Sequence, residues 1–169
     1  MVSTSGSSGI WPPVGVSLAT VRQIAIALGK CRALGQVAGM TTALITHESA
    51  LDHVTPDGHP ERVERVVRLN AEFATPAYAS LLRVEAPAVA DEAILRAHPP
   101  EYLASLKARI PSRGFAAIDP DTHLSPESWQ AVLRSAGAAV QAVDMVMAGA
   151  ARNAFAMMRP PGHHAEKAE

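Results

Sequence analysis

The chain has 169 residues, enough for one domain with a buried core and short for two. Fifteen Lys and Arg against sixteen Asp and Glu leave a formal charge of −1, so no basic footprint for nucleic acid is present. Hydrophobic residues at 48% against 18% charged argue for a folded chain, while the single cysteine, Cys31, excludes an internal disulfide framework and a Cys-rich zinc module.

Residues 1–39 read as an extension. Ser3-Thr4-Ser5-Gly6-Ser7-Ser8-Gly9 has linker composition, and Val16 to Leu34 is a marginal helix interrupted by Gly29. No basic start with a long apolar stretch marks a secretory signal, and no apolar run reaches the roughly 18 to 20 residues of a membrane span. Met40 is taken as the native start, and a cytoplasmic compartment is expected.

From Thr41 onward strand and helix signals alternate, the pattern of a parallel α/β sheet. Thr41 to Thr46 is β-branched and reads as the first strand, Leu81 to Glu85 as the second. Between them, Pro60 opens a helix running to about Phe73, with Val63, Val66, Val67 and Leu69 on one face. Asp91 is expected to cap a short helix through Ala97, and Tyr102, Leu103, Leu106 and Ile110 mark the next. The clearest helix has Ser125 as N-cap and Pro126 in its first turn. Its expected buried stripe is Trp129, Val132, Leu133, Ala136, Val140, Val143 and Met147, stopped by Gly149. Asn153 to Met158 is an apolar run expected to be a strand buried on both faces. Met145, Met147, Met157 and Met158 read as core filling.

That last strand delivers the chain to Arg159-Pro160-Pro161-Gly162-His163-His164, where ligand sites of parallel sheets gather. Two prolines stiffen the loop, Gly162 allows close approach of a substrate, and two adjacent imidazoles suit proton transfer near neutral pH. Their titrations couple, because protonating one disfavours protonating the other. By spacing alone a solvated histidine pair in a surface loop is an equal alternative. His47, His53, His59 and His98 match no compact metal-ligand spacing, and Glu166 reads as a solvated carboxylate.

Arg159 to Glu166 resembles the tandem-histidine motif of the histone deacetylase family in its bacterial and class II form. Three further segments agree in order. Gly58-His59-Pro60-Glu61-Arg62-Val63-Glu64-Arg65 resembles the family's GHPERPER loop, with Val63 in place of a proline. Ala97-His98-Pro99-Pro100-Glu101-Tyr102-Leu103 resembles its His-x-x-x-Tyr-Leu helix entry, and Asp119 to Ser128 resembles its DPDT-x-x-SPGS stretch. The resemblance covers about residues 41–169, and the combination is far more specific than any one piece.

The resemblance implies a three-layer α/β/α fold with a parallel sheet, arginase- or deacetylase-like, and incomplete in this chain. It also implies a zinc-dependent amidohydrolase that removes acetyl or related acyl groups from lysine or polyamine-like amines. Carried onto this sequence, His164 matches the general base and His163 its electrostatic partner. Arg65 matches an arginine lining the cavity near the acyl end, while Gly162 is taken as substrate-contacting for the close approach it allows. Asp119 or Asp121 matches a rim aspartate that holds the substrate backbone in some members, Asp121 being preferred of the two, while a turn-and-cap role is the default reading for both. Zn2+ is expected for the complete domain. The family's zinc ligands, an Asp-x-His pair and a later Asp, follow the tandem histidines, so the resemblance assigns no metal ligand to this chain.

Residues 40–169 are therefore expected to be the N-terminal part of a deacetylase-like domain, exposing an unpaired sheet edge and an apolar face. The alternatives are an inactive fragment and a non-catalytic α/β binding module. Neither nucleic acid nor membrane is expected as a partner.

Overall fold

The computed structural model describes residues 41–163 and 165–167. The expectations for the extension, for Met40 and for the side chain of His164 lie outside the described residues.

Three strands form a parallel sheet: β1 (Thr42–Thr46) in the middle, β2 (Leu82–Glu85) on one side and β5 (Asn153–Ala156) on the other. Ala43 is paired with Leu82 and Ala154, and Ile45 with Val84 and Ala156, so residues of like parity share a face across the sheet. The β1-to-β2 crossover carries α1 (Ser49–Asp52) and α2 (Val63–Phe73). Between β2 and β5 come α3 (Asp91–Ile94), α4 (Pro100–Ala108), a short antiparallel pair β3 (Ala116–Ala117) and β4 (His123–Leu124), and the long α5 (Ser128–Met147).

The two sheet faces are covered differently. Ala43 and Ile45, both fully buried, meet Ala138 of α5 together with Ala86 and Ala151; Ala142, Met145, Ala154 and Ala156 pack around them. Leu44 and Phe155 point the opposite way, where the Phe155 ring meets Phe73 at the end of α2 at 5.9 Å, and Phe73 meets Tyr78 edge-on at 4.9 Å. Helix, sheet and helix make three layers at this point, as the resemblance implied.

The closest approach of α5 is to the chain leaving β2. Val89 N–H donates to the Leu133 carbonyl at 3.0 Å and Arg134 donates to the Ala86 carbonyl at 2.7 Å. A Cβ on Gly137 would lie 1.9 Å from the Pro87 carbonyl oxygen, so this contact admits no side chain there. The helix ends as expected at Gly149, whose φ of 68° lets its own N–H reach Val146 O and the Ala150 N–H reach Met145 O.

Several expectations are corrected. The second-crossover helix α5 begins at Ser128, with Glu127 rather than Ser125 in the cap position, because Ser125 is used elsewhere. Its buried positions are Ser128, Ala131, Gly137 and Ala138, whereas Val140, Val143 and Met147 are exposed, Met147 by 80%. At Gly137 no larger residue fits, because the β2 exit passes so close. β5 is an edge strand among the described residues, not one buried on both faces, and Phe155 is 47% exposed. Pro60 precedes the helix it was expected to open, which starts at Val63. Asp91 is the first residue of α3 rather than its cap, and α3 ends at Ile94 instead of Ala97.

Candidate functional site

Beyond the carboxyl ends of β1 and β5 lie the two loops that carry most of the motif residues. β5 continues through Met157, whose N–H still bonds to the Ile45 carbonyl at 2.9 Å, and then leaves the sheet at Arg159. From β1 the chain passes through α1 to His53 and the Pro56–Arg62 loop.

Arg159 joins these two loops. It is 3% exposed, and its guanidinium forks onto the Glu61 carboxylate, Nε to Oε1 at 2.5 Å and Nη2 to Oε2 at 2.7 Å. Its remaining terminal nitrogen, Nη1, donates to the Ala50 carbonyl at 3.0 Å and to the His53 carbonyl at 2.7 Å. A planar donor array with this many matched acceptors has one low-energy orientation. The next residue, Pro160, is tied separately, its carbonyl accepting from Ser135 Oγ at 2.8 Å.

Glu61 also faces His53, whose Nε2 lies 3.6 Å from Oε2 and whose ring is 3% exposed. On its other side His53 Nδ1 is 2.7 Å from Ser128 Oγ. Ser128 Oγ accepts the Ser125 N–H at 2.7 Å and lies 3.0 Å from Ser125 Oγ, which accepts the Val54 N–H at 3.2 Å. Ser125, Ser128 and His53 thus form one buried line of polar contacts that ends at the Glu61 carboxylate. Burial pushes the Glu61 carboxyl up, but the bonds and charges of His53 and Arg159 outweigh it and bring the group down to about 2.

The rim loop is tied to the same place. Pro56 to His59 form a turn in which the His59 N–H reaches the Pro56 carbonyl at 3.1 Å, and Gly58 at its third position has φ of 81°, a backbone geometry favouring glycine. His59 Nδ1 accepts the Glu61 N–H at 3.1 Å, and His59 Nε2 donates to the Asp121 carbonyl at 3.1 Å. Asp119 Oδ1 accepts the Asp121 N–H at 2.7 Å, a local side-chain turn that occupies the Asp119 carboxylate.

Of the expected site residues, His163, Gly162, Asp121 and Arg65 are all exposed. Gly162 O accepts the Ala165 N–H at 3.1 Å, and a Cβ on Gly162 would meet open space. Asp121 is joined to the Glu61 loop through His59, and His163 follows the Arg159 anchor by four residues. Arg65 sits in the first turn of α2, and its N–H bonds to the Arg62 carbonyl. The residues that sequence reasoning missed are Glu61, Arg159, His53, Ser125 and Ser128. A detectable signal existed in an arginine placed between an apolar strand and two prolines, where a charge must be paired if it is buried.

Among the described residues no group of three or more His, Cys, Asp or Glu side chains converges to hold a metal ion. No helix among them is long and apolar enough to cross a membrane.

The chain resembles known proteins over most of its described length. Residues 58–169 match the histone deacetylase domain. A histone deacetylase-like amidohydrolase of Pseudomonas aeruginosa is 38% identical over 108 residues, covering 63% of this chain and 28% of that protein. A probable deacetylase of Archaeoglobus fulgidus is 33% identical over 130 residues, 75% of this chain and 36% of that one. The human polyamine deacetylase HDAC10 is 32% identical over 143 residues, 76% of this chain and 21% of that one. The crystal structure of the HDA15 HD domain superposes with a TM-score of 0.70 at 25% identity, over 76% of this chain and 37% of that chain. The chain thus spans little more than a third, at most, of the length of these relatives.

Proposed function

This chain belongs to the histone deacetylase domain family, and we propose that its tandem-histidine loop is the proton-transfer part of a site that hydrolyses the amide of an acetylated amine. The observation that carries the reading is the placement of Arg159 to His163 directly beyond a parallel strand, with Arg159 buried and locked onto Glu61.

In this reading water adds to the amide carbonyl, the C–N bond breaks, and acetate and a free amine result. His164 takes the proton from the water and later returns it to the leaving nitrogen, while His163 steadies the developing charge. Gly162 leaves room for the acyl end, and Arg65 lines the cavity beyond it. Asp121 holds the substrate backbone or its amine-bearing arm at the rim. Asp119 is less suited to that task, since its carboxylate already caps the turn.

The substrate class is an acylated lysine or a polyamine-like amine, the second favoured by the name of the human relative. Zinc is the cofactor proposed for the whole domain, held by residues other than those described. Its chemistry is to polarise the carbonyl and acidify the water.

The test is acetate release from an acetyl-lysine peptide and from an acetylated polyamine by the protein expressed from its complete reading frame. His164→Ala should lower turnover by roughly 10²- to 10⁴-fold while zinc stays bound. Near wild-type turnover in that variant rejects the assignment, and absence of turnover in the unaltered protein rejects the reading in favour of a non-catalytic α/β module.

A further inference from the structure

We propose that Glu61 is a positioning residue that couples the loop bearing His163 to the loop bearing Asp121. The inference rests on the reading of those two residues as parts of one site, and it adds a third residue that touches neither substrate nor reacting atoms.

Glu61 is the point where two chains of contacts meet. Through its side chain it receives both Nε–H and Nη2–H of Arg159, and Arg159 begins the Pro-Pro-Gly segment that ends at His163. Through its backbone N–H it bonds to His59 Nδ1, and the opposite nitrogen of the same ring donates to the Asp121 carbonyl. The Glu61 carbonyl is itself held by Thr55 Oγ1 at 2.6 Å. With the backbone fixed on both sides, the carboxylate cannot follow Arg159 without dragging the His59 ring, and the ring cannot shift without moving Asp121.

The surroundings make the coupling stiff. Arg159 has further acceptors in the Ala50 and His53 carbonyls, so it cannot swing away to compensate. His53 backs the carboxylate and is itself fixed by Ser128 at the start of α5. The His59 ring meets His123 edge-on at 5.3 Å, which limits its rotation. A spacing error in either loop is therefore shared by both, and the distance between a proton-transferring imidazole and a substrate-holding carboxylate is set by a residue outside both loops.

The experiment uses the 169-residue chain and nuclear magnetic resonance of backbone amides and histidine rings. Glu61→Gln keeps the shape and removes the charge that orients the Arg159 fork. The expected result is that signals of Gly162 and His163 and those of Asp121 and Thr122 move together, while Ile45 and Ala138 in the core stay in place. Movement of one loop alone, of neither, or of the core to the same extent overturns the proposal. His59→Gln should move the Asp121 signals and leave His163 unmoved; a His163 shift of equal size contradicts the order of contacts.

Should the Glu61 variant fail to fold, the unaltered chain decides. The Arg159 Nε–H should exchange with solvent at least roughly tenfold more slowly than that of the exposed Arg62. Equal exchange rates overturn the proposal. Coupled loops in a protein whose complete reading frame releases no acetate leave the positioning role standing and remove the proposed function. Acetate release with uncoupled loops does the reverse.

Discussion

A carboxylate that is mostly buried survives ionised only when its partners return more than desolvation removes, and Glu61 meets that condition with a forked arginine and a histidine N–H. The consequence is a pH dependence of definite sign. The folded group titrates at about 2 against 4.5 for the free side chain, so its stabilisation is complete above 4.5 and is lost as pH falls toward 2. A shift of this size corresponds to an order of 3 kcal/mol. Urea unfolding between pH 5 and about pH 2 should show this loss in the unaltered chain and a visibly flatter profile in Glu61→Gln; parallel profiles would show that Glu61 is not what the acid limb reports. Removing only the arginine, as in Arg159→Met, strands the carboxylate and should cost about 3–5 kcal/mol in the same assay. At this scale the sequence pointed to the histidines and aspartates because motifs local in the chain carry them. It was silent on Glu61 with Arg159, which are 98 residues apart and meet only after folding.

Helix α5 shows where pattern reading reaches its limit. Its stop was legible, since Gly149 takes up a left-handed backbone that closes the last turn. Its start and phase were not. Ser125 precedes a proline and looks like a cap, yet its hydroxyl accepts the Val54 N–H and joins Ser128 in the chain to His53. The large apolar residues suggested one stripe, but Gly137 lies against the Pro87–Val89 backbone with no room for a side chain, and Ala138 beside it packs with Ala43, Ile45 and Ala86. Gly137→Ala should accordingly destabilise the fold by roughly 1–3 kcal/mol despite the gain in helix propensity. Thermal melting measures this, and a stabilised Gly137→Ala would mean that the helix does not lie against the β2 exit. Strand β5 was correctly read as extended and apolar, and its position at the sheet edge accounts for its exposure.

For the whole molecule, the alternation of strands and helices after Thr41 identified the parallel α/β class, and the four motif segments identified the family that the residue 58–169 match then showed. The chain covers 37% of the HDA15 HD domain chain it superposes on, and its described part has three strands in the main sheet. Val143 at 61% and Met147 at 80% exposure lie close together on α5, with Phe155 exposed on β5. An apolar surface of this kind drives association. Replacing Val143 and Met147 by lysine should reduce concentration-dependent light scattering of the 169-residue chain while changing stability by only about 0.5 kcal/mol. Scattering unchanged by those substitutions would place the association elsewhere.

Under the proposed function, this chain supplies the histidine-bearing part of a zinc-dependent deacetylase site. Reading the source locus past the codon for Glu169 tests it most directly. The expected result is an open frame that runs into a further strand ending in an Asp-x-His pair, with a later Asp to complete the metal ligands. A stop codon at that point would contradict it, leaving His163 and His164 with no metal to serve.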